Sequence, residues 1–141
     1  MTKVTPYFFF DGNCADAMKF YHYVFGGKLS IILVSESQMK EQFQPKLQGK
    51  VVNANLKSDN VDISASDWLA ATRVRRPGNT VCAYITGASY EEIKKYFTKL
   101  SEEADQTTLD ELKEMPFGLY GALTDKYGVR WMFQGKPQIE Q

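Results

Sequence analysis

Few residues in this sequence can do chemistry at neutral pH. His22 is the single histidine in 141 residues. It lies between Tyr21 and Tyr23 in a segment with helical spacing, where it reads as a surface or interface residue. That placement removes the usual general base and every Ser–His or Cys–His arrangement. Cys14 and Cys82, the two cysteines, fit neither a metal-ligand spacing nor a disulfide framework, and both are expected to be buried thiols. Asp67 could serve as a general base if burial raised its pKa; alternatively Asp67 and Trp68 simply end a strand. Arg73, Arg75 and Arg76 form a cluster that could hold an anion, although such clusters are ordinarily solvated loop residues. The remaining chemistry is amide, hydroxyl and ring. Nine Phe, eight Tyr and two Trp can build a core or line a small-molecule pocket.

These groups act only where strands and helices bring them together. Residues 5–10 form a short β-rich run closed by the turn signal Asp11-Gly12-Asn13. Cys14, Ala17, Met18, Tyr21, Val24 and Phe25 then recur at helical spacing until Gly26-Gly27 stops the helix. Residues 28–35 are β-rich, and residues 36–49 are polar without an assignable pattern. Residues 50–57 and 61–66 read as strands joined by the hairpin residues Ser58-Asp59-Asn60. After a loop at 70–78 the order restarts, with a strand at 80–86 and a helical face of Tyr90, Ile93, Phe97, Leu100 and Ala104. A weak strand follows within 107–115, then strands at 119–124 and 129–134 around the turn Asp125-Lys126-Tyr127-Gly128. One constant shift sets Gly12 on Gly87, Lys19 on Lys94 and Tyr21 on Tyr96. The reading is an internal repeat in a single domain: module one at about 1–69, a linker at about 70–78, and module two at about 79–136.

The fold class expected is α+β, two βαβββ modules forming a curved, mainly antiparallel eight-stranded sheet with helices on its outer face. Alternation then sorts the side chains. Val52, Ala54 and Leu56 oppose Asn53 and Asn55; Val61, Ile63 and Ala65 oppose Asp62, Ser64 and Ser66. Val81, Ala83 and Ile85 oppose Thr80, Cys82 and Tyr84; Val129, Trp131 and Phe133 oppose Arg130, Met132 and Gln134. The apolar faces suit a core beneath the helices. The mixed faces either line a cleft or face water.

Several function classes are excluded by the totals. Net charge is zero, so the basic face that nucleic acid or an anionic membrane calls for is missing. The apolar runs fall far short of the roughly 20 residues a membrane span needs. The opening Met-Thr-Lys-Val-Thr-Pro lacks the apolar stretch of a secretory signal, which gives an expectation of cytoplasmic location.

The stretch Thr5-Pro6-Tyr7-Phe8-Phe9-Phe10-Asp11-Gly12-Asn13-Cys14-Ala15-Asp16-Ala17-Met18-Lys19-Phe20-Tyr21, with Val24-Phe25-Gly26-Gly27 beyond it, closely resembles the PhnB-like branch of the vicinal oxygen chelate (glyoxalase/bleomycin resistance) superfamily. So does Leu123-Thr124-Asp125-Lys126-Tyr127-Gly128-Val129-Arg130-Trp131-Met132 near the C-terminus. The branch is often labelled 3-demethylubiquinone-9 3-methyltransferase-like. The sequence does not support methyl transfer, because no glycine-rich loop follows a strand in the manner that cradles a nucleoside cofactor.

The resemblance implies paired βαβββ modules, a U-shaped cleft and commonly a homodimer. Metal-dependent members hold one divalent ion with His and Glu side chains, and the ion polarises two substrate oxygens. The corresponding positions here fall at Pro6, Ser64, Thr80 and Met132, which supply neither imidazole nor carboxylate. Asn53 stands where relatives often carry His. The resemblance thus implies no metal and no cofactor, and a cleft lined by Phe8, Asn53, Asn55, Ser64, Ser66, Asp67, Thr80, Tyr84, Tyr120 and Arg130, with Gln134 and Trp68 nearby. The function expected is metal-free binding of an unidentified small molecule. One alternative is an enzyme whose metal is held by Asp62, Asp67 and Asn53 or by a partner subunit. Another is a dimeric scaffold whose cleft is filled by its own side chains.

Overall fold

A computed structural model, describing residues 1–87 and 89–136, shows one helix laid on a four-stranded sheet in each half of the chain. In the first unit, Met1–Arg76, β1 (Tyr7–Phe10) leads into α1 (Cys14–Phe25), followed by β2 (Lys28–Leu33), β3 (Val51–Lys57) and β4 (Asp62–Asp67). Cys14, Ala17, Met18, Tyr21 and Val24 make the stripe that α1 buries, and the helix packs on β2, β3 and β4. Gly26, at φ 71°, ends it by donating its N–H to the His22 carbonyl at 2.8 Å. Gly27, at φ 89°, lies where a Cβ would come 2.8 Å from the Lys57 carbonyl oxygen, so only glycine fits this crossing. The strand order is β1-β4-β3-β2, with β1 parallel to β4 and the other pairs antiparallel.

The polar segment between β2 and β3 is three single-turn 3-10 helices, Val34–Glu36, Lys40–Gln42 and Pro45–Leu47. The Gln48 side-chain amide donates to the Lys40 and Phe43 carbonyls at 2.9 and 3.0 Å, and Val34 N–H donates to the Lys50 carbonyl at 2.8 Å. The loop is therefore closed by its own hydrogen bonds, which a hydrophobic pattern cannot announce.

In the second unit, Pro77–Gln141, β5 (Ala83–Gly87) precedes α2 (Tyr90–Leu100), and β6 (Asp110–Met115), β7 (Gly118–Thr124) and β8 (Arg130–Gly135) follow. The order β5-β8-β7-β6, with β5 parallel to β8, is the arrangement of the first unit. Ser89 caps α2 by accepting from Glu92 N–H at 3.2 Å. Ile93, Phe97 and Leu100 bury the inner face of α2 against β5, β7 and β8.

Three expectations are corrected. Ala104 is buried but lies beyond the helix, which stops at Leu100 before the left-handed Glu103 (φ 57°). Val51, 2 % exposed, takes the core position expected of Val52, because a register shift between Ile32 and Leu33 skips Val52 and inverts the alternation. Strand β5 starts at Ala83, so Thr80 sits in an exposed bend, Val81 is 81 % exposed, and Cys82 is an exposed thiol rather than a buried one. Cys14 is fully buried, as expected, and its thiol is pushed up to about 12, first by burial and then by the charge of Asp67.

Candidate functional site

Strand pairing decides which side chains share a face, and in each unit it separates a helix side from a side turned away from the helix. On the first sheet, Tyr7, Ser64, Asn55 and Ser30 stand in one cross-strand row, Phe9 pairs with Ser66, and Asn53 with Ile32. These residues belong to the side away from α1. The Asn55 amide donates to Ser64 Oγ at 3.1 Å and to Asp62 Oδ1 at 3.0 Å. Tyr7 and Phe9 are 42 % and 48 % exposed and lie 5.0 Å apart, with Trp68 edge-on to Phe9 at 5.3 Å. The arginine loop lies against this aromatic group. Arg73 sits over the Trp68 ring at 5.8 Å, Trp68 Nε1–H donates to the Arg73 carbonyl at 2.8 Å, and Arg75 Nε–H donates to the Phe9 carbonyl at 3.1 Å.

Two expected lining residues belong to the other side. The Phe8 ring lies 6.2 Å from Tyr21 of α1 and 6.3 Å from Phe10, on the helix face. Asp67 pairs with the buried Phe10 and is itself 3 % exposed. Its carboxylate accepts Cys14 N–H at 3.0 Å and Val51 N–H at 2.8 Å, tying the first turn of α1 and the start of β3 to the end of β4. Asp67 therefore holds the fold on the helix side instead of facing a ligand. Asp62, at the other end of β4, is ion-paired with Lys3 and, at 3.2 Å, with Lys57. The Lys3 contact, with Asn55 and Lys57 after it, holds this carboxyl well below the usual carboxylate range.

Asp62 and Asp67 are thus on opposite faces and five residues apart, about 16 Å along an extended strand. A set of Asp62, Asp67 and Asn53 cannot close around one ion. Among the described residues no group of three His, Cys, Asp or Glu side chains is placed to hold a metal. Among the described residues the nitrogen and carboxylate donors that a divalent site calls for are not brought together.

On the second sheet the side away from α2 carries a row of Thr86, Gln134, Tyr120 and Lys113, and beside it Tyr84, Met132, Ala122 and Asp110. The Tyr84 hydroxyl donates to Gln134 Oε1. Arg130 is held at the sheet end, with hydrogen bonds to the Thr108 carbonyl at 2.6 Å and Thr124 Oγ1 at 3.4 Å and an ion pair to Asp110 at 3.3 Å. A pocket of 340 Å³ opens on this side, lined by Tyr84, Thr86, Gly87, Phe117, Gln134, Gly135 and Lys136. Phe117 stacks on Tyr120 at 6.2 Å.

The structure thus groups Asn53, Asn55, Ser64 and Ser66 on one helix-free face and Tyr84 and Tyr120 on another, and leaves Phe8, Asp67 and Thr80 elsewhere. It adds Tyr7, Phe9, Thr86, Phe117 and Lys136. Tyr7 and Phe9 escaped sequence reading because Tyr7-Phe8-Phe9-Phe10 is aromatic throughout and shows no alternation. Phe117 lies in the β6–β7 turn, where parity says nothing.

Comparison with known proteins agrees with this architecture. A family model described as 3-demethylubiquinone-9 3-methyltransferase matches residues 2–134. Protein YjdN of Escherichia coli (strain K12) is 26 % identical over 139 residues, covering 92 % of each chain. Protein PA1353 from Pseudomonas aeruginosa superposes with a TM-score of 0.85 at 23 % identity, over 98 % of this chain and 100 % of that one. A putative 3-demethylubiquinone-9 3-methyltransferase, PhnB protein, from Bacillus cereus gives 0.69 at 26 % identity, over 95 % and 99 %. A glyoxylase/bleomycin resistance protein/dioxygenase domain from Frankia sp. EAN1pec gives 0.62 at 12 % identity, over 99 % and 96 %, a likeness of fold.

Proposed function

Because the chain belongs to the 3-demethylubiquinone-9 3-methyltransferase family and has the glyoxalase/bleomycin resistance fold, we propose that it is a small-molecule receptor of the bleomycin-resistance type, acting as a homodimer. One observation carries this reading. The helix-free faces offer amides, hydroxyls and half-exposed rings, while the nearby carboxylates are engaged: Asp62 by Lys3 and Lys57, Asp67 by two backbone N–H groups, Asp110 by Arg130. Such surfaces orient a ligand; they do not present a general base. The family's description names methyl transfer. This chain supports binding better, since its β1–α1 turn, Asp11-Gly12-Asn13, has a single glycine and no further glycine beside it.

A thermal-shift screen against a chemically diverse ligand panel tests the proposal. A true ligand at 100 times its Kd should add about 2.7 kcal/mol of stability. The reading fails if no class of molecule shifts the transition. It fails equally if the protein transfers a methyl group from a sulfonium donor, or if protein purified without chelator carries one equivalent of a tightly held divalent ion. Sedimentation at micromolar concentration checks the dimer.

A further inference from the structure

The pocket of the second unit has a chemical bias that goes beyond receptor function in general. Among the described residues its lining contains one formal charge, the Lys136 ammonium, and no carboxylate. Among the described residues no ion pair engages Lys136 or Lys113, the cation at the β6 end of the Tyr120–Gln134–Thr86 row. The acid on the same face, Asp110, is already paired with Arg130. An anion entering here meets the Lys136 ammonium, and among the described residues no lining carboxylate repels it. The apolar lining is equally directed. Tyr84 and Phe117 are each 51 % exposed, and Phe117 is already fixed by its stack on Tyr120. A large ring held half-open to solvent gains by covering its face with another ring. The Tyr84 hydroxyl and the Gln134 side chain, hydrogen-bonded to each other, add polar groups to the lining. A volume of 340 Å³ lies at the lower end of small-molecule pockets and suits one or two fused rings.

We propose that this pocket takes a small aromatic anion, its ring against Phe117 and Tyr84 and its carboxylate toward Lys136. The inference rests on the receptor reading above and narrows it to one unit and one ligand class.

The test uses the full chain and two probes of one shape: 2-naphthoate and the uncharged 2-naphthylmethanol, titrated by calorimetry. Naphthoate should bind about two- to fivefold more tightly than the alcohol, the range expected of one solvent-exposed ion pair. Lys136→Gln should remove that difference without weakening the alcohol, and Phe117→Ala should weaken both probes. Both side chains are exposed, so unfolding midpoints should stay unchanged and show that the variants are folded. Equal affinity for the two probes, unaltered naphthoate binding in both variants, or no naphthoate binding at 5 mM overturns the inference. In each case neutral hits in the wider panel leave the receptor reading standing, whereas a silent panel removes both.

Discussion

Replacing Asp67 separates a structural carboxylate from a ligand-contacting one. The side chain is 3 % exposed and accepts two backbone donors, Cys14 N–H at 3.0 Å and Val51 N–H at 2.8 Å. Cys14 N–H is one of the unsatisfied donors of the first turn of α1, and the N-terminal Asn13 makes no side-chain cap bond. Hydrogen bonds to a charged acceptor are worth about 1.5–3 kcal/mol each. Asp67→Ala withdraws both, so a loss of about 3–6 kcal/mol is expected, a large part of the 5–15 kcal/mol of an ordinary domain. Asp67→Asn keeps one acceptor but turns an NH₂ toward the second donor, and about half that loss is expected. Equilibrium unfolding in urea, with the denaturant slope unchanged, measures both. The reasoning is refuted if Asp67→Ala costs less than about 1 kcal/mol, and more sharply if it also abolishes binding of a ligand found in the screen.

Further expectations follow from the same geometry. Cys82 should react within minutes with a disulfide reagent at pH 8, whereas Cys14, buried and pushed up to about 12, should react only on unfolding; two fast thiols would contradict this. Trp131→Phe removes the indole N–H that donates to Asp125 at 2.7 Å and should cost about 1–3 kcal/mol. Asp125→Ala should cost more, because Tyr127 N–H and Val129 N–H lose the same acceptor, and a smaller loss in urea would contradict the ranking. The Asp62 carboxyl is lowered from its unfolded value near 3.8. Its contribution to stability is therefore complete above that pH and is lost as pH falls through the lower folded value. The stability gap between the protein and Asp62→Asn should be widest above about pH 5, should close in acid and should shrink in 1 M salt; a gap that grows on acidification would contradict the pairing.

The elements were legible wherever local pattern and strand pairing agree. The stripe of Cys14, Ala17, Met18, Tyr21 and Val24 identifies α1, and the alternation of Trp131 and Phe133 with Arg130, Met132 and Gln134 sets both faces of β8. Pattern failed where pairing overrides parity. The register shift opposite Ile32 and Leu33 exchanges Val51 and Val52, and no residue type there signals it. Phe8 and Phe9 are chemically identical, so only the parallel pairing of Phe8 with Ala65 and Phe9 with Ser66 shows which ring lies under α1. Asp67 fell to the same blindness. Counting from Ile63 puts it on the core side, yet a carboxylate is expected outside unless its two backbone donors are known.

Those donors bear on function as well as stability. Ser66, Asp67 and Asp125 are the buried polar side chains of the core, and among the described residues every buried side-chain polar atom has a partner. Asp67 joins α1 and β3 to β4; Asp125 joins the β7–β8 turn to Trp131. A carboxylate recruited as a base must keep a lone pair for substrate, and withdrawing either one from these contacts would leave buried N–H groups unsatisfied. The acids that burial could have activated are therefore committed to joining elements. Half-exposed rings, hydroxyls and lysines remain on the helix-free faces, and the proposed recognition of a small molecule rests on that residue set.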